Sequence, residues 1–116
     1  MQECKIQRTD RAPGTCILSL EGPLTLRTLF EFQDLVRGLE CTHLIIDLSR
    51  SPYMDSAGLG SVLGAYTSCQ RTGKGFALAD VSPRIVTLLQ LARVDSIVPR
   101  YSSVEDAERQ FQAQSS

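Results

Sequence analysis

The fold is decided by residues 43–72, HLIIDLSRSPYMDSAGLGSVLGAYTSCQRT. Its first part, His43 to Ser49, sets Leu44, Ile45, Ile46 and Leu48 in a near-continuous β-rich apolar run broken only by Asp47. Runs of that kind belong to strands buried on both faces, as in parallel sheets. Pro52 disfavours helix at Ser51 and marks a loop, and Asp55 or Ser56 then supplies the short polar side chain that suits the free amides of a helix start. The hydroxyl of Ser56 is therefore expected at a helix amino end.

That helix carries Gly58, Gly60 and Gly64 close together, although glycine in a helix interior costs roughly 0.5–1 kcal/mol against alanine. On a wheel of about 100° per residue, Leu59, Val62, Leu63, Tyr66 and Cys69 form the expected core stripe, and Ala57, Gly60, Ser61, Gly64 and Ser68 form the outward side. An outward side so bare of long side chains implies that another surface comes close, either a partner protein's or a neighbouring helix's.

Working outward, the 116 residues suit a single domain spanning 1–116. Twelve basic residues face thirteen acidic ones without a dense basic cluster, which argues against nucleic-acid binding. The amino end lacks a signal-type apolar core, and no segment approaches the ~18 apolar residues of a membrane span. A cytoplasmic protein with no membrane association is expected. Cys4, Cys16, Cys41 and Cys69 are widely spaced and there is one histidine, so no zinc set forms and reduced, mostly buried thiols are expected. No metal or cofactor is expected.

Before the central stretch, Cys4 to Thr9 reads as a strand, Asp10 to Gly14 as a turn, and Thr15 to Glu21 as a second strand of an amino-terminal hairpin. Leu24 to Leu39 has helical spacing of Leu26, Leu29, Phe30, Phe32, Val36 and Leu39, with Thr25 as its cap. After the glycine helix, residues 71–75 read as a helix stop and Phe76 to Ala79 as a short buried strand ending at Asp80. Ser82 and Pro83 open a helix bearing Ile85, Val86, Leu88, Leu89 and Ala92. Ile97 and Val98 read as a last strand halted by Pro99. Two overlapping capping boxes, Ser102 with Glu105 or Ser103 with Asp106, then open a helix that packs Val104, Ala107 and Phe111, and Gln112 to Ser116 are expected to fray. The alternation predicts an α/β fold: a mixed, mostly parallel β-sheet with helices packed on it and one antiparallel strand at an edge.

Enzyme chemistry finds little support. The sole histidine, His43, opens a strand and reads as a strand-end residue without a role, and Ser56 lies in D-S-A-G rather than G-x-S-x-G. Asp47 and Asp55 are separated by their roles as strand and cap residues. Nucleotide binding is the stronger rival, because a strand, Gly58, Gly60, Gly64 and then Asp80 approach the dinucleotide fingerprint. The spacing is G-x-G-x-x-x-G, however, and the first glycine does not follow directly on the strand; Gly73-Lys74-Gly75 lacks the hydroxyl residue of a Walker loop. A phosphate on Ser56 would place about 1.5–2 negative charges at the positive helix end, where the helix tolerates them and a docked partner does not.

The segment Tyr53-Met54-Asp55-Ser56-Ala57-Gly58-Leu59-Gly60-Ser61-Val62-Leu63-Gly64, preceded by LIIDLS and followed by VSPRIVTLLQLA, resembles the STAS domain of bacterial anti-sigma-factor antagonists across nearly the whole chain. The resemblance implies a STAS-like fold and a non-enzymatic, phosphorylation-controlled partner switch. It implies that Ser56 is the phosphoacceptor, and that Tyr53, Met54, Asp55, Ala57, Gly58, Leu59, Gly60, Ser61, Gly64 and Thr25 form the partner-binding region. The partners implied are an anti-sigma-factor serine kinase, bound while Ser56 is unphosphorylated so that a sigma factor is released, and a PP2C-type phosphatase that resets the switch. Many members carry an aspartate where this chain has Thr25. The alternative is a STAS scaffold or nucleotide-binding module in a larger signalling or transport assembly; the sequence is compatible with a dimer.

Overall fold

The apolar run of the quoted stretch becomes the middle strand of a five-stranded sheet with the order β1-β2-β3-β4-β5. In the computed structural model, residues 3–11 and 13–115 are described, the last two for their backbone alone. The elements are β1 (Lys5–Arg11), β2 (Thr15–Glu21), α1 (Leu29–Arg37), β3 (His43–Arg50), α2 (Ser56–Arg71), β4 (Gly75–Ala79), α3 (Pro83–Leu91), β5 (Arg100–Tyr101) and α4 (Val104–Ser115). β1 pairs antiparallel with β2 at one edge, and every later pairing is parallel. The mixed, mostly parallel sheet expected from the alternation is what forms.

Side chains alternate across β3, so its apolar run serves two cores. Leu44, Ile46 and Leu48 join Leu18, Leu20 and Leu78 beneath Phe32 of α1, Leu59 and Val62 of α2 and Ile85 and Leu89 of α3. Ile45 points the other way, with Ile17, Ala77 and Ala79, under Ala107 and Phe111 of α4. Three helices therefore cover one face and α4 covers part of the other. Beyond that part the face turns polar, which accounts for Asp47: it accepts from the Ser19 hydroxyl at 3.2 Å and from Ser49 N–H at 3.0 Å. No helix among the described residues is long and apolar enough to cross a membrane.

Several boundaries differ from the sequence reading. β1 continues past Thr9 to Arg11 because it stays paired with β2 as far as Thr15. α1 begins at Leu29 rather than Thr25. Leu24 is engaged in a bridge to Met54, and residues 25–28 form a turn in which Thr28 and Leu29 both donate to Thr25 O, at 3.0 and 2.9 Å. The last strand is Arg100–Tyr101 rather than Ile97–Val98, whose N–H groups both turn back to Val94 O at 3.0 and 3.2 Å. α4 opens on the Ser103 cap, with Asp106 N–H donating to its hydroxyl at 3.0 Å. It continues to Ser115 rather than fraying from Gln112, since Phe111 is buried and stacks on the His43 ring at 4.5 Å, which pins its later turns. His43 thus has a packing role. Ser116 at the end of that segment lies outside the described residues, as do residues 1, 2 and 12.

Candidate functional site

The loops that follow β2, β3 and β4 converge at the carboxyl ends of the parallel strands, and α2 starts there. Asp55, one of the two cap residues the sequence offers, is the N-cap, and one of its oxygens accepts from Gly58 N–H at 2.8 Å. Its other oxygen accepts from Leu26 N–H at 3.1 Å. A single carboxylate therefore holds the helix start and the loop after β2 together. Backbone bonds reinforce the join: Leu24 N donates to Tyr53 O and Asp55 N to Leu24 O, both at 3.3 Å. Buried Ser51 ties the base of the two loops by donating to Gly22 O at 2.8 Å.

The approach is closest at Gly58. A methyl group placed there would lie 2.0 Å from Leu24 O and 2.7 Å from its carbonyl carbon. Only glycine admits backbone so near. Met54, Gly58, Leu59 and Ser61 are consequently buried in this junction, and the Ser61 hydroxyl turns inward to Gly58 O at 2.7 Å. Thr25 builds the turn beside it, with Arg27 N–H donating to its hydroxyl at 3.3 Å and its own N–H donating to Thr28 Oγ1 at 2.8 Å.

Ser56 occupies the first helical position, one residue past the cap, and is exposed. It stands on this welded mount at the positive end of a sixteen-residue helix. Tyr53, half-buried, lies on its flank with the Arg84 guanidinium 4.7 Å from the ring centroid. Ser82 joins α3 to the same loop by donating to Pro52 O at 3.1 Å.

The outward row of α2 is narrower than the helical wheel indicates. Gly60 and Gly64 are exposed and a methyl on either would meet nothing within 4 Å. Ser61 and Ala65 instead turn towards α1, and Ala57 and Ser68 are half-buried, because α2 packs against a helix as well as the sheet. The exposed glycines floor a groove of about 350 Å³ whose other wall is Gln33, Val36 and Arg37 of α1, with Arg71 at its α2 end. Leu26 and Phe30, 61% and 60% exposed, stand on the α1 side. These two apolar side chains escaped the sequence reading, which counted them in the helical spacing of a longer helix; Leu26 lies in the turn before α1, and Phe30 falls on the side of α1 away from buried Phe32.

The rival chemistries fare poorly in this geometry. His43 opens β3 and Ser56 follows its far end, so no imidazole serves the hydroxyl. No group of His, Cys, Asp and Glu suited to a metal ion occurs among the described residues. The sheet runs in sequence order, so it lacks the reversal at which open α/β sheets bind nucleotides, and Gly58 approaches the chain's own carbonyl rather than leaving room for a phosphate. All four cysteines are free and buried. Burial, with the Glu31 carboxylate adding to it, pushes the Cys4 thiol to about 11; burial and donation to Asp10 push Cys16 to about 12. Thiols held protonated in this way are poor nucleophiles.

The STAS domain family model matches residues 7–107. An anti-sigma F factor antagonist of Paenibacillus polymyxa is 30% identical over 98 residues, covering 81% of this chain and 84% of that protein. An anti-sigma factor antagonist from Mycobacterium paratuberculosis shares the fold with a TM-score of 0.83 at 21% identity, over 92% of each chain. The anti-sigma factor antagonist SpoIIAA in its unphosphorylated form does so with a TM-score of 0.79 at 19% identity, over 94% of this chain and 97% of that one. The chain belongs to the STAS domain family, in the group of the anti-sigma factor antagonists.

Proposed function

We propose that this chain is a non-enzymatic, cytoplasmic anti-sigma-factor antagonist switched by phosphorylation of Ser56. Unphosphorylated, it binds an anti-sigma-factor serine kinase through Tyr53, Asp55, Ser56, Ala57 and the open Gly60 and Gly64 row, with Thr25 at the border; the kinase then releases its sigma factor. Buried Met54, Gly58, Leu59 and Ser61 shape that surface from beneath. The observation that carries the reading is the exposure of Ser56 at the first turn of α2, on a mount fixed by Asp55 from both sides.

Phosphorylation adds about 1.5–2 negative charges and three acceptor oxygens. At the amino end of α2 the helix favours that charge by roughly 0.3–1 kcal/mol, so the fold survives. A partner seated on the glycine row has to desolvate or repel the same group, and leaves. A PP2C-type phosphatase restores the binding form. That SpoIIAA is described in an unphosphorylated form agrees with this reading.

The test is incubation with the cognate kinase and ATP, phosphate mapping by mass spectrometry, and a binding titration of each form. Phosphate is expected on Ser56 alone, with Ser56→Ala binding constitutively and Ser56→Asp failing to bind. Modification elsewhere, together with normal switching by Ser56→Ala, would refute the proposal.

A further inference from the structure

Four large apolar side chains are exposed among the described residues: Leu26, Phe30, Leu91 and Ile97. Two of them stand one turn apart beside the Ser56 mount. Leu29 N–H donates to Thr25 O at 2.9 Å, which closes a helical turn ahead of α1 and sets Leu26 four residues before Phe30 on it. Side chains at that spacing lie on one side of a helix, with Cβ atoms ~5–6 Å apart. At about 100° per residue, Gln33 and Arg37 share that side within an arc of about 60°. Gln33 and Arg37 wall the groove floored by Gly60 and Gly64, so Leu26 and Phe30 continue the wall towards the start of α2. The continuation reaches the switch itself: Leu26 N–H donates to the Asp55 carboxylate at 3.1 Å, and the other oxygen of that carboxylate accepts from Gly58 N–H at 2.8 Å.

The glycine row lets a partner come close but gives it little to hold. A stable interface covers about 800 Å² on each protein, and a few large, well-buried side chains supply most of its energy. Ser56, Ala57, Gly60 and Gly64 carry no such group. Met54 and Leu59, at 6% and 5% exposed, are spent on the chain's own core, and Tyr53 is half-buried with Arg84 over its ring. Leu26 and Phe30 are the large apolar side chains left open on this side. Leu91 and Ile97 lie elsewhere: Leu91 closes α3 and Ile97 follows it, whereas the opposite end of α3, at Ser82, meets the Ser56 loop.

We infer that Leu26 and Phe30 are the anchors by which this chain holds its anti-sigma factor, so that the partner's footprint crosses from α2 onto α1. The inference rests on the reading of Ser56 as the switch. Continuity names the occupant: one carboxylate joins the Leu26 backbone to the cap of α2, and the groove beside the glycine row is walled by the same stripe of α1 that begins at Leu26. A protein seated over Ser56 and the glycines therefore meets Leu26 and Phe30 next, and presents an apolar recess to them. Anchor and switch act separately. The two side chains supply affinity through buried apolar area, and a phosphate on Ser56 cancels it through charge.

The test titrates the full chain, and its Leu26→Ser, Phe30→Ser, Leu91→Ser and Ser56→Asp variants, against the anti-sigma-factor kinase used to map phosphate on Ser56. Leu26, Phe30 and Leu91 are 61%, 60% and 77% exposed, so these three variants should keep the parent's circular dichroism. Leu26→Ser and Phe30→Ser are each expected to weaken binding by ~10-fold or more, chiefly through faster dissociation. Leu91→Ser should bind as the parent does. In phosphorylation of Ser56 the two anchor variants should raise KM and leave kcat unchanged, because an anchor holds the partner without touching the reacting hydroxyl. Should Ser56→Asp be rejected while Leu26→Ser and Phe30→Ser bind like the parent, the anchors are refuted and the switch stands. Should Ser56→Asp bind as tightly as the parent, the switch fails and the anchors with it. A loss in Leu91→Ser equal to that in Phe30→Ser, or a fall in kcat at unchanged KM, would also overturn the inference.

Discussion

Three glycines of one helix should respond to alanine with opposite signs. At Gly58 the new methyl would stand 2.0 Å from Leu24 O and 3.2 Å from Met54 Cβ, and the obstacle is backbone that no rotamer change relieves. The first turn of α2 must then lift away from residues 24–26. Losing the Asp55 cap costs about 1 kcal/mol, and losing the two backbone bonds between the loops costs about 0.5–1.5 kcal/mol each. Alanine's helix propensity returns roughly 0.5–1 kcal/mol, which leaves a net loss of roughly 1–3 kcal/mol. In a chain of this size that lowers Tm by roughly 4–12 °C. At Gly60 and Gly64 a methyl meets nothing, so the propensity gain of roughly 0.5–1 kcal/mol stands alone and each variant should be stabilised. Urea and thermal unfolding followed by far-ultraviolet circular dichroism would measure all three. If Gly58→Ala matches or exceeds the parent, or Gly60→Ala and Gly64→Ala fall as far as it does, the welded junction described above is wrong.

α2 and α3 end in the same Schellman arrangement, but the residue in left-handed conformation is Gly73 in one and Arg93 in the other, at φ 73° and 61°. Arg93→Gly should therefore raise stability by about 0.5–1 kcal/mol and Gly73→Ala lower it by about 1 kcal/mol, as urea midpoints will report. Asp55→Ala removes two acceptors at once and should cost about 1–2 kcal/mol, whereas Asp55→Asn retains a capping oxygen and should cost less than half of that; equal losses would show that charge rather than capping matters. The Cys4 thiol holds its proton to about 11 in the folded chain, against about 8.5 when unfolded. Its contribution is thus complete below the unfolded value and is lost as pH rises towards the folded one. Unfolding free energies measured on either side of that window should fall less steeply for Cys4→Ala than for the parent, and an unchanged slope would contradict the burial argument.

The strands and helices could be read from the sequence wherever the signal is local. The apolar run of β3, the Ser82-Pro83 start of α3 and the Ser103 cap of α4 each depend on a few neighbouring residues and on chain stereochemistry. The reading failed where a distant segment competes for the backbone. Residues 24–28 have helical spacing, yet Leu24 is taken by Met54 and Asp55, and α1 opens a turn later. Ile97 and Val98 have strand composition, yet their N–H groups close a turn on Val94 and Val98 plugs the core.

The candidate site divides along the same line. The order of strand, loop, acidic cap, serine and helix places a hydroxyl at a positive helix end, because capping and helix direction are set within a single turn. The sequence alone therefore determined where Ser56 lies on α2. Tertiary structure alone decided the separate uses of the glycines, with Gly58 admitting the Leu24 carbonyl and Gly60 and Gly64 left open to solvent. It also decided that Ile97 and Val98 fold back on Val94 and leave the last strand to Arg100 and Tyr101. Both outcomes rest on which backbone comes within a few ångströms of which, and that distance is set by the packing of segments far apart in the chain.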